Sequence, residues 1–162
     1  MSSTVWYGGT TYGRAISASR TGADQASTRR GGPVIAFMAG QTRPPDHFVA
    51  VDTGSEDGTG VLLRDALGPA RVLTAPRSTG FGDAVRQAVA RADSMTRRPA
   101  AHRGDPWIWL LHDDSAPDPR ALELLLAVAA RSSSVAVVGP KVVAWDDPDV
   151  LLEVGLSVGR GG

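Results

Sequence analysis

Three short stretches of the 162-residue chain carry side chains suited to chemistry. The first is Val51-Asp52-Thr53-Gly54-Ser55-Glu56-Asp57-Gly58-Thr59, in which two glycines permit tight backbone turns and the Asp52 carboxylate can accept hydrogen bonds from a ligand's N–H or hydroxyl groups. Its plainer reading is a strand-to-helix turn, with Asp52 a turn residue and Ser55 or Asp57 capping the helix that follows. The second is Leu110-Leu111-His112-Asp113-Asp114-Ser115. Adjacent carboxylates repel unless a cation or donors lie between them, so Asp113 and Asp114 suggest a divalent ion, Mg²⁺ or Mn²⁺, held by oxygen ligands. Here the plainer reading is a solvated turn before the helix near Pro117, with His112 a polar neighbour. The third, Arg77-Ser78-Thr79-Gly80-Phe81-Gly82, sets a cation and small residues at a helix start, which is a natural anion site or an ordinary N-terminus capped by Ser78 or Thr79. Asp146, Asp147 and Asp149 flank Pro148 and read as solvated loop residues.

These stretches are positioned by an alternation of apolar runs and helical patterns. Phe48 to Val51 is a β-prone run that stops at Asp52, and Trp107 to Leu111 is a second that stops at His112, so both sets of acids fall at the carboxyl ends of strands. Pro33 to Met38, Arg71 to Thr74 and Val135 to Val138 read as further strands. Helices are expected over Thr59 to Leu67 and Gly80 to Arg91, the latter with Phe81, Ala84, Val85, Ala88 and Val89 along one face. A third, opened by Pro117 or Pro119, covers Ala121 to Ala130 and is apolar nearly all round, which implies deep burial. Residues 93 to 105 are polar and basic and read as a surface loop. Strands alternating with helices indicate an α/β fold, three layers α/β/α with a mainly parallel sheet. In such sheets ligands bind beyond the carboxyl ends of the strands, where Asp52 and the Asp113 and Asp114 pair lie.

Composition narrows the partners. The chain holds 17 basic and 17 acidic side chains, no cysteine and 42% apolar residues, the profile of one domain with a real core. The balanced charge gives no nucleic-acid footprint, and no apolar run reaches the roughly 20 residues of a membrane span. Without cysteine there is no disulfide scaffold, thiolate zinc site or cysteine nucleophile. The neutrality is uneven, because residues 1–45 carry five arginines and one acid. Residues 1–32 are mostly Ser, Thr, Gly, Ala and Arg and read as a disordered N-terminal tail. They have neither the apolar core of a secretory signal nor the amphipathic helix of a transit peptide.

Together the three stretches resemble the family 2 glycosyltransferases. Phe48 to Thr59 is similar to that family's strand and turn (apolar run, Asp, x, Gly-Ser, x, Asp-Gly-Thr), and Gly80-Phe81-Gly82-Asp83-Ala84 is similar to its Gly-Phe-x-x-Ala helix start. Trp107 to Ser115 resembles the strand entering its Asp-x-Asp region, and Pro117 to Leu126 and Gly139-Pro140-Lys141 resemble the helix and strand beyond. The likeness runs from about Gln41 to Gly155. It implies the GT-A fold, a nucleotide-diphosphate sugar donor, a glycan or lipid-linked acceptor, Mg²⁺ or Mn²⁺, and inversion at the anomeric carbon. It also implies cell-envelope polysaccharide synthesis in the cytoplasm or at the cytoplasmic face of a membrane. Asp52, with Ser55 and Asp57 in the same motif, would bind the nucleotide. Asp114, with Asp113 and His112, would lie at the metal and diphosphate. Arg77 and Gly80 complete the expected donor site, Arg77 on charge and location alone.

Three departures shape the expectation. His112 stands where the Asp-x-Asp signature has its first acid. Residues 1–40 hold no counterpart of the family's first strand beyond Pro33 to Met38. No residue matches the family's catalytic base, so residues 33–162 are expected to be an incomplete GT-A-like domain, the donor-binding half of a longer enzyme. Two other functions share these features: a nucleotidyltransferase, which would attack phosphorus, and a non-catalytic nucleotide-sugar-binding or interaction domain.

Overall fold

A computed structural model describes residues 13–19, 38–95, 107–111, 116–144 and 147–154. Ten of these segments' elements matter here. In chain order they are β1 (Gly13–Ser19), β2 (His47–Asp52), α1 (Thr59–Leu67), a 3₁₀ turn (Pro69–Arg71), β3 (Val72–Thr74), α2 (Phe81–Met95), β4 (Trp107–Leu111), α3 (Ala121–Ala129), β5 (Lys141–Val143) and β6 (Leu151–Val154).

The apolar run at β2 forms the best-buried strand. Val49, Ala50 and Val51 are at most 1% exposed and Asp52 only 4%, although successive side chains point to opposite faces, so both faces are covered. On one face Val49 and Val51 join Ala75 and the α2 residues Ala84, Ala88 and Ala92 in the core, with Leu73, Val85, Val89 and Met95 packed around them. The three alanines recur every four residues, so they form one stripe, and their small side chains let α2 lie close to the strand. On the other face are Ala50 and Asp52, and the first turn of α1 stands against Asp52 at Gly60.

Four strands form one sheet in the order β3-β2-β1-β4, all parallel. Ala50, Val51 and Asp52 pair with Val72, Leu73 and Thr74. On the other side β1 pairs with β2 from Arg14↔His47 to Ser19↔Asp52, and with β4 from Gly13↔Trp107 to Ser17↔Leu111. The order reverses between β1 and β4, which is the switch point where open parallel sheets bind ligands. Gln41 fixes the chain beyond β4. Its amide donates to the Asp118 carbonyl at 2.8 Å and accepts from the Leu122 N–H at 3.2 Å, while the Thr42 N–H donates to the Pro119 carbonyl at 2.8 Å.

The chain divides into two units, residues 1–122 and 123–162. The first holds the four-stranded sheet. In the second, β5 and β6 pair antiparallel, with an irregularity between Val142 and Val143.

Several expectations are corrected. Gly13–Ser19, within the stretch read as a tail, is a strand between β2 and β4. Its small, polar residues carry little β propensity, but pairing on both sides satisfies their backbone groups. The other residues of 1–32 lie outside the described residues, as do 33–37 of the expected Pro33 to Met38 strand, whose last residue, Met38, is helical. Val135 to Val138 is irregular chain, with Val137 88% exposed, and the strand begins instead at Lys141. Helix α2 runs past the expected Arg91 to Met95, into the start of the expected loop; 96–105 lie outside the described residues. Helix α3 is not buried all round: Leu122 and Ala129 are buried, but Leu124 and Val128 are exposed.

Candidate functional site

Asp52 ends β2 with its carboxylate inside the protein. Oδ1 accepts the Ser55 N–H at 3.0 Å, and the Asp52 carbonyl accepts the Ala75 N–H at 2.8 Å, so the residue is tied to its own turn and to the chain leaving β3. The turn needs its glycines. Gly54 has φ 77° and Gly58 φ 87°, conformations that a Cβ disfavours. Gly58 is the N-cap of α1 and offers no side chain, so the preceding Asp57 supplies a carboxylate, whose Oδ1 accepts the Thr59 N–H at 3.0 Å. Asp57 is therefore not the N-cap considered for it: it stands one position before Gly58 and accepts the first helical N–H from there. Ser55 provides a backbone donor to Asp52 rather than a cap. Ser55 Oγ and Thr59 Oγ1 are buried and have no hydrogen-bond partner among the described residues. A hydroxyl buried in this way carries a cost of about 1–3 kcal/mol that a polar ligand would offset.

Arg77, from the loop after β3, comes up against this turn. Its backbone N and Cβ lie 3.4 Å from where a Gly54 side chain would begin, and its guanidinium pairs with Glu56 at 3.5 Å. The pair is exposed, so it contributes little to stability, but it brings a cation to the rim of the Asp52 turn. Gly80 precedes α2, and its carbonyl accepts the Ala84 N–H at 3.0 Å. The α2 start already carries a carboxylate, since Asp83 lies in the first turn and pairs with Arg86. An acid there satisfies the helix dipole that would otherwise draw an anion.

Asp52, Ser55, Asp57 and Arg77 are therefore brought together, while Gly80 belongs to the neighbouring helix start. His112, Asp113 and Asp114 lie outside the described residues. The strand that leads to them ends at Leu111, which is level with Ala50 through their common partner Ser17 in β1. Among the described residues no group of three or more His, Cys, Asp or Glu side chains is arranged to hold a metal ion. Of the acids that flank Pro148, Asp147 and Asp149 are in a turn where Asp147 Oδ1 accepts the Asp149 N–H at 3.0 Å, as expected of loop residues; Asp146 lies outside the described residues. Two residues at the site were not anticipated, Gly60 and Arg64. Gly60 stands one position beyond the Asp-Gly-Thr motif, and a second glycine opening a helix is the signal that marks it.

The family model described as Glycosyl transferase family 2 matches residues 32–150. The chain belongs to glycosyl transferase family 2. Among its relatives, the galactofuranosyltransferase GlfT1 of Mycobacterium tuberculosis is 36% identical over 118 residues, which cover 70% of this chain and 36% of that protein. GlfT1 of Mycolicibacterium smegmatis is 30% identical over 115 residues, 70% of this chain and 35% of that protein. An N-acetylglucosaminyl-diphospho-decaprenol L-rhamnosyltransferase of Mycobacterium tuberculosis is 28% identical over 119 residues, 71% of this chain and 36% of that protein. The matched stretch spans about a third of the length of these relatives. No solved structure matches this family 2 chain significantly. Among its described residues no helix is long and apolar enough to cross a membrane.

Proposed function

We propose that this family 2 chain is the donor-binding part of an inverting glycosyltransferase that uses a nucleotide-diphosphate sugar. The observation that carries the reading is the Asp52 carboxylate, 4% exposed and held at the carboxyl end of a parallel strand by the Ser55 N–H. In this reading Asp52 accepts hydrogen bonds from the base or ribose, and the buried hydroxyls of Ser55 and Thr59 find their partners in the bound nucleotide. Asp57 holds the first turn of α1, which stands beside Asp52. Arg77, beside Gly54, offers its charge to the donor's diphosphate from the rim of the turn, and Gly80 lies three residues further on. The strands β3-β2-β1-β4 are then part of a three-layer GT-A sheet, with the nucleotide at the switch point.

By residue type, the His112, Asp113 and Asp114 that follow β4 in sequence suit a hard divalent cation. Asp113 and Asp114 would hold Mg²⁺ or Mn²⁺, with His112 as a neutral neighbour. Such an ion, when bound, supplies positive charge against the diphosphate leaving group. No catalytic base is assigned to this chain. The relatives' names specify galactofuranosyl and rhamnosyl groups and, in one, a diphospho-decaprenol glycan, which favours a lipid-linked acceptor here, used at the cytoplasmic face of a membrane.

Product analysis tests the reaction class. The chain is incubated with UDP- and dTDP-sugars and Mn²⁺, with and without pyrophosphate, and the products are separated by ion exchange. Retention of the sugar nucleotide, with free nucleoside diphosphate from any turnover, is the expected result. Release of sugar 1-phosphate together with nucleoside triphosphate would instead mark attack of pyrophosphate at phosphorus and a nucleotidyltransferase.

A further inference from the structure

Gly60 is not explained by backbone geometry. The described glycines with positive φ are Gly54, Gly58 and Gly68, whereas Gly60 is the second residue of α1, in a helix where glycine is a poor former. Space explains it instead. A Cβ at position 60 would collide with Asp52 Oδ2 and stand 3.3 Å from both Asp52 Cγ and Arg64 Nη2. The carboxylate of Asp52 thus fills the place of the missing methyl group. It cannot swing aside freely, because Oδ1 is bound to the Ser55 N–H at 3.0 Å and the residue is buried. Arg64, one turn along α1, comes to the same notch through its Nη2. Its Nη1 is 3.5 Å from Thr74 Oγ1, and Thr74 is the residue paired with Asp52 across β2 and β3.

We propose that Gly60 is a positioning residue of the donor site, its missing side chain setting the orientation in which the Asp52 carboxylate meets the nucleotide. The proposal rests on the reading of Asp52 as a nucleotide ligand. A methyl group at position 60 forces Oδ2 out of the notch, which either breaks the Ser55 bond or turns the accepting oxygen away from the ligand. The effect passes through Asp52, so it disappears when the carboxylate is removed.

The test is a double-mutant cycle on the whole chain, with UDP titrated calorimetrically in Mn²⁺ into wild type, Gly60→Ala, Asp52→Ala and the double variant, and each fold checked by circular dichroism and thermal melting. Gly60→Ala is expected to weaken UDP binding about tenfold or more, and the double variant to bind within about twofold of Asp52→Ala alone. Undiminished affinity in Gly60→Ala overturns the proposal, as do losses that multiply in the double variant. If Gly60→Ala does not fold, the double variant should, since truncating Asp52 makes room for the methyl group; failure of both to fold overturns the proposal. Wild type that does not bind UDP, or Asp52→Ala that binds it equally well, overturns the reading of Asp52 itself and the proposal with it.

Discussion

Gly54 shows how tightly the turn after β2 is specified. Its φ of 77° is one that L side chains rarely adopt, and Arg77 backbone and Cβ atoms already stand 3.4 Å from the position a Cβ would take. Gly54→Ala is therefore expected to destabilise the protein by about 1–2 kcal/mol, measured as a lowered midpoint in urea unfolding. An unchanged midpoint would mean that the turn is not held as described. The tight turn at Gly54 and Gly58 after Asp52 is readable from sequence, because glycines so spaced beyond an apolar run permit it. Gly60 is marked in the sequence only as a second glycine at a helix start, while its requirement comes from a carboxylate eight positions earlier that folding brings against α1. The exposed Arg77–Glu56 pair is likewise a product of two loops meeting, although the placing of Arg77 near the site followed from its charge and its place before α2.

Among the elements, those with strong periodicity were anticipated well. Helix α1 occupies the expected Thr59 to Leu67, and β4 the expected Trp107 to Leu111. The face of Phe81, Ala84, Val85, Ala88 and Val89 makes α2 readable, while the helix runs on to Met95 because buried Ala92 and core-packed Met95 extend that face. Strand β1 was missed for the opposite reason. Gly-Arg-Ala-Ile-Ser-Ala-Ser has no apolar run, and its strand state comes from pairing with β2 on one side and β4 on the other. Val135 to Val138 misled because an apolar run alone does not make a strand without a neighbour to pair with. The position of β1 makes a direct prediction. Deleting residues 1–20 removes the strand that joins β2 to β4, so the truncated chain should lose cooperative thermal unfolding. A truncated chain that melts at the wild-type midpoint would contradict the sheet order.

Across the whole molecule, a net charge of zero conceals a division of labour: the basic excess lies in residues 1–45, and the acids of the remainder include the proposed donor ligands. In the sheet order β3-β2-β1-β4, β2 and β4 flank β1 and run the same way, so Asp52 and the end of β4 at Leu111 lie toward the same edge of the sheet. The place of Asp52 at the carboxyl end of a parallel strand, together with the family 2 membership of residues 32–150, is the basis for the proposal that it binds a nucleotide sugar. The most direct measurement is calorimetric titration of the chain with UDP, with and without Mn²⁺, comparing wild type with Asp52→Ala and Asp114→Ala. Binding by wild type is predicted, with at least about tenfold weaker affinity in Asp52→Ala, the cost of about one lost charge-assisted hydrogen bond, and with loss of the Mn²⁺ dependence in Asp114→Ala. Heats unchanged from wild type in both variants would contradict the account.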